Sequence, residues 1–156
     1  MKKLFSVLGI LIVLAACATA PAPRQIQTSF PLEKPFDPVW QTVIEVFAEL
    51  NLPIMNMEKV SGLITTDWIN FTGQNNINGY CDCGGLGMNR EVERRGRFNV
   101  YVKKVGDSSC ELKVNSIFEH IITSALDNTS PHYTNACVST GKLEAEIFKR
   151  IQEKIK

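Results

Sequence analysis

The stretch from Arg97 to Asn115 leaves its backbone little choice. Phe98, Val100 and Val102 alternate with Arg97, Asn99, Tyr101 and Lys103, and after Gly106-Asp107-Ser108-Ser109 a second alternation sets Cys110, Leu112 and Val114 against Glu111, Lys113 and Asn115. A period of two sends the apolar side chains to one face of a strand and the polar ones to the other. Two such runs around a turn predict an antiparallel hairpin with one buried and one wet face. The wet face would bear Arg97, Tyr101, Lys103, Glu111 and Lys113, and Ile117 to Ile122 would lengthen the second strand. A half-buried sheet needs a covering layer, which the rest of the chain must supply.

Two segments can do so. Asp37 and Pro38 read as the N-cap and first residue of a helix. Within it Trp40, Val43, Phe47 and Leu50 recur at spacings of three and four, with Gln41, Glu45 and Glu49 opposite, until Pro53 stops it near Asn51. A closing helix begins near Ser139 and aligns Leu143, Ile147, Ile151 and Ile155, with Glu144, Lys149, Arg150 and Glu153 outside. Short strands are expected at Gln25–Phe30, Ile54–Glu58 and Leu63–Phe71, the last placing Ile64, Thr66 and Trp68 on one face. Both tryptophans, Trp40 and Trp68, read as core. Gly73–Asn89 and Thr123–Ala136 read as long loops.

The resulting order is β-α-β-β-β-β-α, and the economical packing lays both helices on one face of an antiparallel sheet: an α+β two-layer domain over residues 25–156. A chain of 156 residues has room for one such core, and its 44% hydrophobic and 21% charged content excludes wholesale disorder.

The amino terminus is of another kind. Met1-Lys2-Lys3 precedes an apolar run, Leu4 to Leu14, that would rise roughly 16 Å as a helix, too short to span a bilayer core. Leu14-Ala15-Ala16-Cys17 then resembles the lipobox of bacterial lipoproteins. The resemblance implies that residues 1–16 are a signal peptide and that Cys17 is diacylated, becomes the mature N-terminus and anchors the chain in a membrane. Ala18, where Asp would signal inner-membrane retention, implies the outer membrane, facing the periplasm. Residues 17–24 form a tether rich in small residues and proline. Without Lys2 and Lys3 there are 15 basic and 16 acidic residues, so charge offers no case for a nucleic-acid partner.

DPVWQTVIEVFAEL at the first helix, SGLITTDW after it and TGKLEAEIFKRI at the end together resemble the helix-grip domains of BamC-type lipoproteins. The resemblance covers roughly Phe36 to Lys156. It implies a helix-grip fold and a role as an accessory subunit of the machinery that assembles outer-membrane β-barrels.

Four further cysteines, Cys81, Cys83, Cys110 and Cys137, suggest disulfide bonding in an exported domain. If the strands alternate in direction, the two long loops meet at one end of the sheet while Cys110 starts its strand at the other. Ten strand residues span roughly 33 Å, far beyond the ~7 Å that bridged Cα atoms allow. Cys137 should therefore pair with Cys83 or Cys81, and Cys110 should be a buried thiol. A lone Cys81-Asp82-Cys83 has neither the spacing of a zinc site nor that of a dithiol redox motif, so no metal or cofactor is expected.

His120 and His132 are the only histidines, read as strand-end and loop residues. Ser124, His132 and Asp127 could be drawn as a triad, but no nucleophile motif accompanies them, and no catalytic residue is assigned. These readings favour a non-enzymatic, lipid-anchored periplasmic scaffold with an envelope protein partner. The alternative is a binding module for an apolar or lipid ligand, which a deep pocket lined by Trp40, Phe47 and Trp68 would favour. A cysteine-dependent metal or redox protein comes third.

Overall fold

The computed structural model of the chain describes residues 21–73, 79–127 and 129–155. Cys17 lies outside them. Eight strands and two helices follow in the order β1 (Ser29–Leu32), α1 (Phe36–Glu49), β2 (Ile54–Glu58), β3 (Leu63–Thr66), β4 (Ile69–Asn70), β5 (Cys81–Asp82), β6 (Asn89–Lys104), β7 (Cys110–Ser124), β8 (Tyr133–Ser139) and α2 (Lys142–Lys154). Every strand pairing among the described residues is antiparallel, and the class is α+β.

The alternating stretch builds the centre. β6 and β7 pair from Lys104↔Cys110 at the turn to Asn89↔Ser124 at the far end, with one bulge between Glu91 and Glu93. The remaining strands attach along this ribbon in the order β2-β3-β6-β7-β8-β5. β4 continues the line of β3 beside β6, and β1 lies beside β7 near the turn, in line with β8. Phe98, Val100, Val102, Cys110, Leu112, Val114 and Phe118 share the inner face and are all buried.

Both helices cover that face. Phe47 of α1 meets Phe98 edge-on at 5.5 Å between ring centroids, and Phe148 of α2 stacks on Phe30 of β1 at 4.2 Å. The two helices are joined at their ends by Lys154, whose ammonium lies 2.6 Å from Glu49 and 3.4 Å from Glu45. The apolar stripe of α1 is wider than a spacing of three and four suggests, because Val39 and Val46 are buried beside Trp40, Val43 and Phe47.

Several expectations need correction. The region Thr123–Ala136 is not simply a loop: β7 runs on to Ser124, and the chain returns as β8, opposite residues 118–122 of β7. Strand pairing here extends through Ser139, and α2 starts three residues later, after Gly141 in the left-handed region (φ 83°). Gly73–Asn89 contains β5. The first strand is shifted to Ser29–Leu32. Leu63–Phe71 is broken in two where the Asp67 carboxylate accepts the Trp68 N–H (2.7 Å). Helix α1 takes in Phe36, and Asp37 caps nothing with its side chain but pairs with Lys59 at 2.8 Å.

Two side chains lie on the face opposite to the one expected. Trp68 leaves the core for the outer face, between the guanidinium groups of Arg95 (4.7 Å) and Arg97 (4.8 Å). Glu144, expected outside, is fully buried. It accepts hydroxyl hydrogen bonds from Ser116 of β7 and from Ser139 (2.9 Å), whose oxygen in turn accepts the Gly141 N–H (3.1 Å). An acidic side chain in the first turn of α2 also suits the helix dipole, and these hydrogen bonds compensate the burial of its polar atoms.

Gly62 makes the tight return from β2 to β3 with φ at 74°, and a Cβ there would run into the Val102 carbonyl oxygen. Gly62→Ala should lower unfolding free energy by roughly 2 kcal/mol or more, since strain and clash add. Urea denaturation measures this, and an unchanged midpoint would refute the packing described.

Candidate functional site

Cysteines and buried polar side chains gather at the end of the ribbon remote from the Gly106 turn. There β5 pairs with β8, Cys81 opposite Ser139 and Asp82 opposite Val138. One step further along this register sets Cys83 opposite Cys137, and the two form a disulfide. The bond pins the segment after β5 to β8, which itself lies on β7 with Cys137 opposite Phe118. Cys81 remains a buried thiol with its Sγ 3.8 Å from that of Cys83. Cys110 is the other free cysteine among the described residues, buried beside the turn.

Charged groups back the sulfurs. Arg94 grips Glu91 through Nε (2.9 Å) and a terminal nitrogen (2.7 Å), both residues being mostly shielded from solvent. Burial pushes the Cys81 thiol above its ordinary pKa, Arg94 pulls the other way, and Glu91 and Asp82 add to the rise. Cys81 is thus a protonated thiol at neutral pH.

His120 faces Arg94 across the ribbon and is 2% exposed, not a strand-end residue. Its strand position opposite Asn135 follows from β8, which composition around Pro131 and His132 concealed. Nδ1 of His120 has no hydrogen-bond partner among the described residues. Burial holds its pKa below the ordinary value, with Arg94 acting in the same sense and Glu91 against it.

The drawn triad does not assemble. The Asp127 carboxylate is taken by the Thr129 N–H (2.8 Å), the Thr129 hydroxyl and the Ser130 hydroxyl, contacts that depress its pKa. Ser124 accepts the Leu126 N–H, and His132 is exposed.

A cleft of about 380 Å³ opens where the C-terminal end of α1, β4 and α2 meet. Leu50, Leu52, Ile69, Phe71, Phe98 and Ile147 line it, with Tyr80, Glu146 and Arg150 among the polar groups of its wall. It is not the expected pocket, since Trp40 and Phe47 are packed in the core and Trp68 lies outside. Tyr80 donates to Glu146 (2.6 Å), which also accepts from Arg150 (3.2 Å). Burial and this bond raise the Tyr80 pKa to about 12, and the same bond lowers that of Glu146. Periodicity could not reveal this cleft, because it is bounded by the ends of elements.

The opposite edge of the sheet is of another character. All five residues of β2 are exposed, Met55 at 61% and Met57 at 49% among them. Among the described residues no helix is long and apolar enough to cross a membrane.

Comparison with known proteins bears on the amino terminus. The family model for the prokaryotic membrane lipoprotein lipid attachment site matches residues 1–18. The chain carries a lipoprotein attachment signal. No curated protein matches the chain.

Two measurements follow from the geometry of this end. In unreduced protein lipidated at Cys17, no thiol should react while the chain is folded and two, Cys81 and Cys110, should react in denaturant; Cys137→Ser should cost roughly 2–5 kcal/mol of stability. Four reactive thiols would contradict the bond. Because His120 is held neutral in the fold, the unfolded chain binds the extra proton below about pH 6.5, so this contribution is fully present above that pH and is lost as pH falls towards the native pKa. Urea midpoints across pH 5 to 8 should therefore decline on the acid side less in His120→Gln than in the parent, and parallel curves would contradict it.

Proposed function

We propose that the chain is a lipid-anchored, non-enzymatic accessory domain of the bacterial envelope, held at the outer membrane through acyl chains on Cys17 with its folded part in the periplasm. There it serves as a scaffold in an assembly complex, the machinery for outer-membrane β-barrels being the specific candidate, and its two helices on one sheet face form a helix-grip-like arrangement. The observation that carries the anchored reading is the lipid attachment match over residues 1–18.

The scaffold reading draws its support from β2. An edge strand presents unpaired backbone donors and acceptors, and a partner strand can extend the sheet there. Met55 and Met57 add flexible apolar side chains that adapt to a partner surface. The cleft beside Phe71 and Ile147 favours a second reading, capture of an apolar or lipid chain, because it combines an apolar lining with a few polar groups.

Affinity purification of the lipidated full-length chain from detergent-solubilised membranes separates the two. The scaffold predicts a stoichiometric envelope protein partner whose recovery falls at least about tenfold in Asn56→Pro, which disrupts the open edge. Lipid co-purifying without any protein partner would overturn it in favour of the cleft. Release of Cys17→Ala into the soluble fraction is expected on either reading, and its retention in the membrane would refute the anchor itself.

A further inference from the structure

The sulfurs of Cys81, Cys83 and Cys137 all lie within 4.8 Å of one another. Sequence spacing hid this group: Cys81-Asp82-Cys83 is too short a motif to chelate alone, and the third member arrives across the β5–β8 register. Side chains two residues apart on a strand share a face, so Cys81 and Cys83 both point towards Cys137.

Two chemistries can follow from a thiol beside a disulfide, and the distances choose between them. Thiol–disulfide exchange is a displacement along the S–S axis. With an S–S bond of about 2 Å, an in-line attack on Cys83 across the 3.8 Å contact would set the sulfurs of Cys81 and Cys137 nearly 6 Å apart. They are within 4.8 Å, so Cys81 stands beside the bond and off its axis. A triangle is instead the shape in which three thiolates surround one ion. Metal–sulfur bonds of about 2.3 Å space the sulfurs of such a centre roughly 3.8 to 4 Å apart, and the Cys81–Cys83 separation is 3.8 Å.

We propose that Cys81, Cys83 and Cys137 form a redox-gated site for a thiophilic cation of the Cu⁺ or Zn²⁺ class, closed while the disulfide stands and open once it is reduced. The gate is opened by an external dithiol: the Cys83–Cys137 bond takes two electrons and two protons, and the dithiol leaves as its own disulfide. The cation then binds three sulfurs, and each thiol that becomes a thiolate releases its proton. Opening requires the sulfurs of Cys83 and Cys137 to part by about 2 Å, a displacement within reach of side-chain rotation. Soft thiolate ligands select these ions over Mg²⁺ or Ca²⁺.

The test uses the lipidated full-length chain in detergent, reduced with a phosphine, freed of reductant without air and titrated with Cd²⁺ as a spectroscopic probe and then with Cu⁺. A thiolate-to-metal charge-transfer band should saturate at one ion per chain, be absent from the unreduced protein, and need roughly tenfold or more metal in Cys81→Ser and in Cys137→Ser. Cys110→Ser, at the other end of the ribbon, should bind as the parent does. Circular dichroism reports whether the reduced chain keeps its fold. A folded reduced chain with no band, a band unchanged in Cys81→Ser, or a reduced chain that unfolds and is not restored by the ion would each overturn the site.

Discussion

The β6–β7 ribbon is the interaction on which the rest depends. Its two strands pair from Asn89↔Ser124 to Lys104↔Cys110, and every other strand except β2 and β5 attaches directly to one of them. Because a strand reverses faces at each residue, one slip in this register would carry Phe98, Val100, Leu112 and Val114 to the solvent face together. The helices add weight to the same choice: Phe47 and Phe148 find their ring partners only when the inner face is the apolar one. Pairing and burial therefore select one arrangement jointly.

The two ends of the ribbon are finished differently. Near the turn, Phe30 and Leu32 of β1 are buried in the apolar layer, Phe30 beneath the Phe148 ring of α2. At the far end the inner face changes character to the Arg94–Glu91 ion pair and the buried His120. There closure falls to a covalent bond and a two-residue strand. A small domain that runs short of apolar surface commonly uses a cross-link for this purpose.

What was legible in the sequence followed the regularity of the segment. The alternation of Phe98, Val100 and Val102 and the four-residue spacing of Leu143, Ile147 and Ile151 are periodic signals, and the hairpin and both helices were read from them. β8 is not legible in the sequence, because Tyr133–Ser139 is mostly exposed and lacks alternating apolar residues; it exists because β7 continues past Phe118 and presents hydrogen-bonding groups there. The burial of Glu144 is not legible in the sequence, because an acidic side chain on a helix is ordinarily solvated; only the hydroxyls of Ser116 and Ser139, brought together by the fold, make it tolerable. Trp68 was misplaced for a related reason: the break at Asp67 ends the alternation that would have turned it inward. The sulfur group was half visible, since topology narrowed the partner of Cys137 to Cys83 or Cys81, but the third sulfur beside the bond is a product of register.

Arg24 pairs with Asp82 of β5 at 2.9 Å. Arg24 stands seven positions beyond Cys17, and that length of chain even fully drawn out reaches no more than about 25 Å. Acyl chains on Cys17, if the attachment signal is used, would keep the cysteine-closed end of the sheet within that leash of the bilayer and leave the Gly106 turn at the other end of the ribbon to extend away from it.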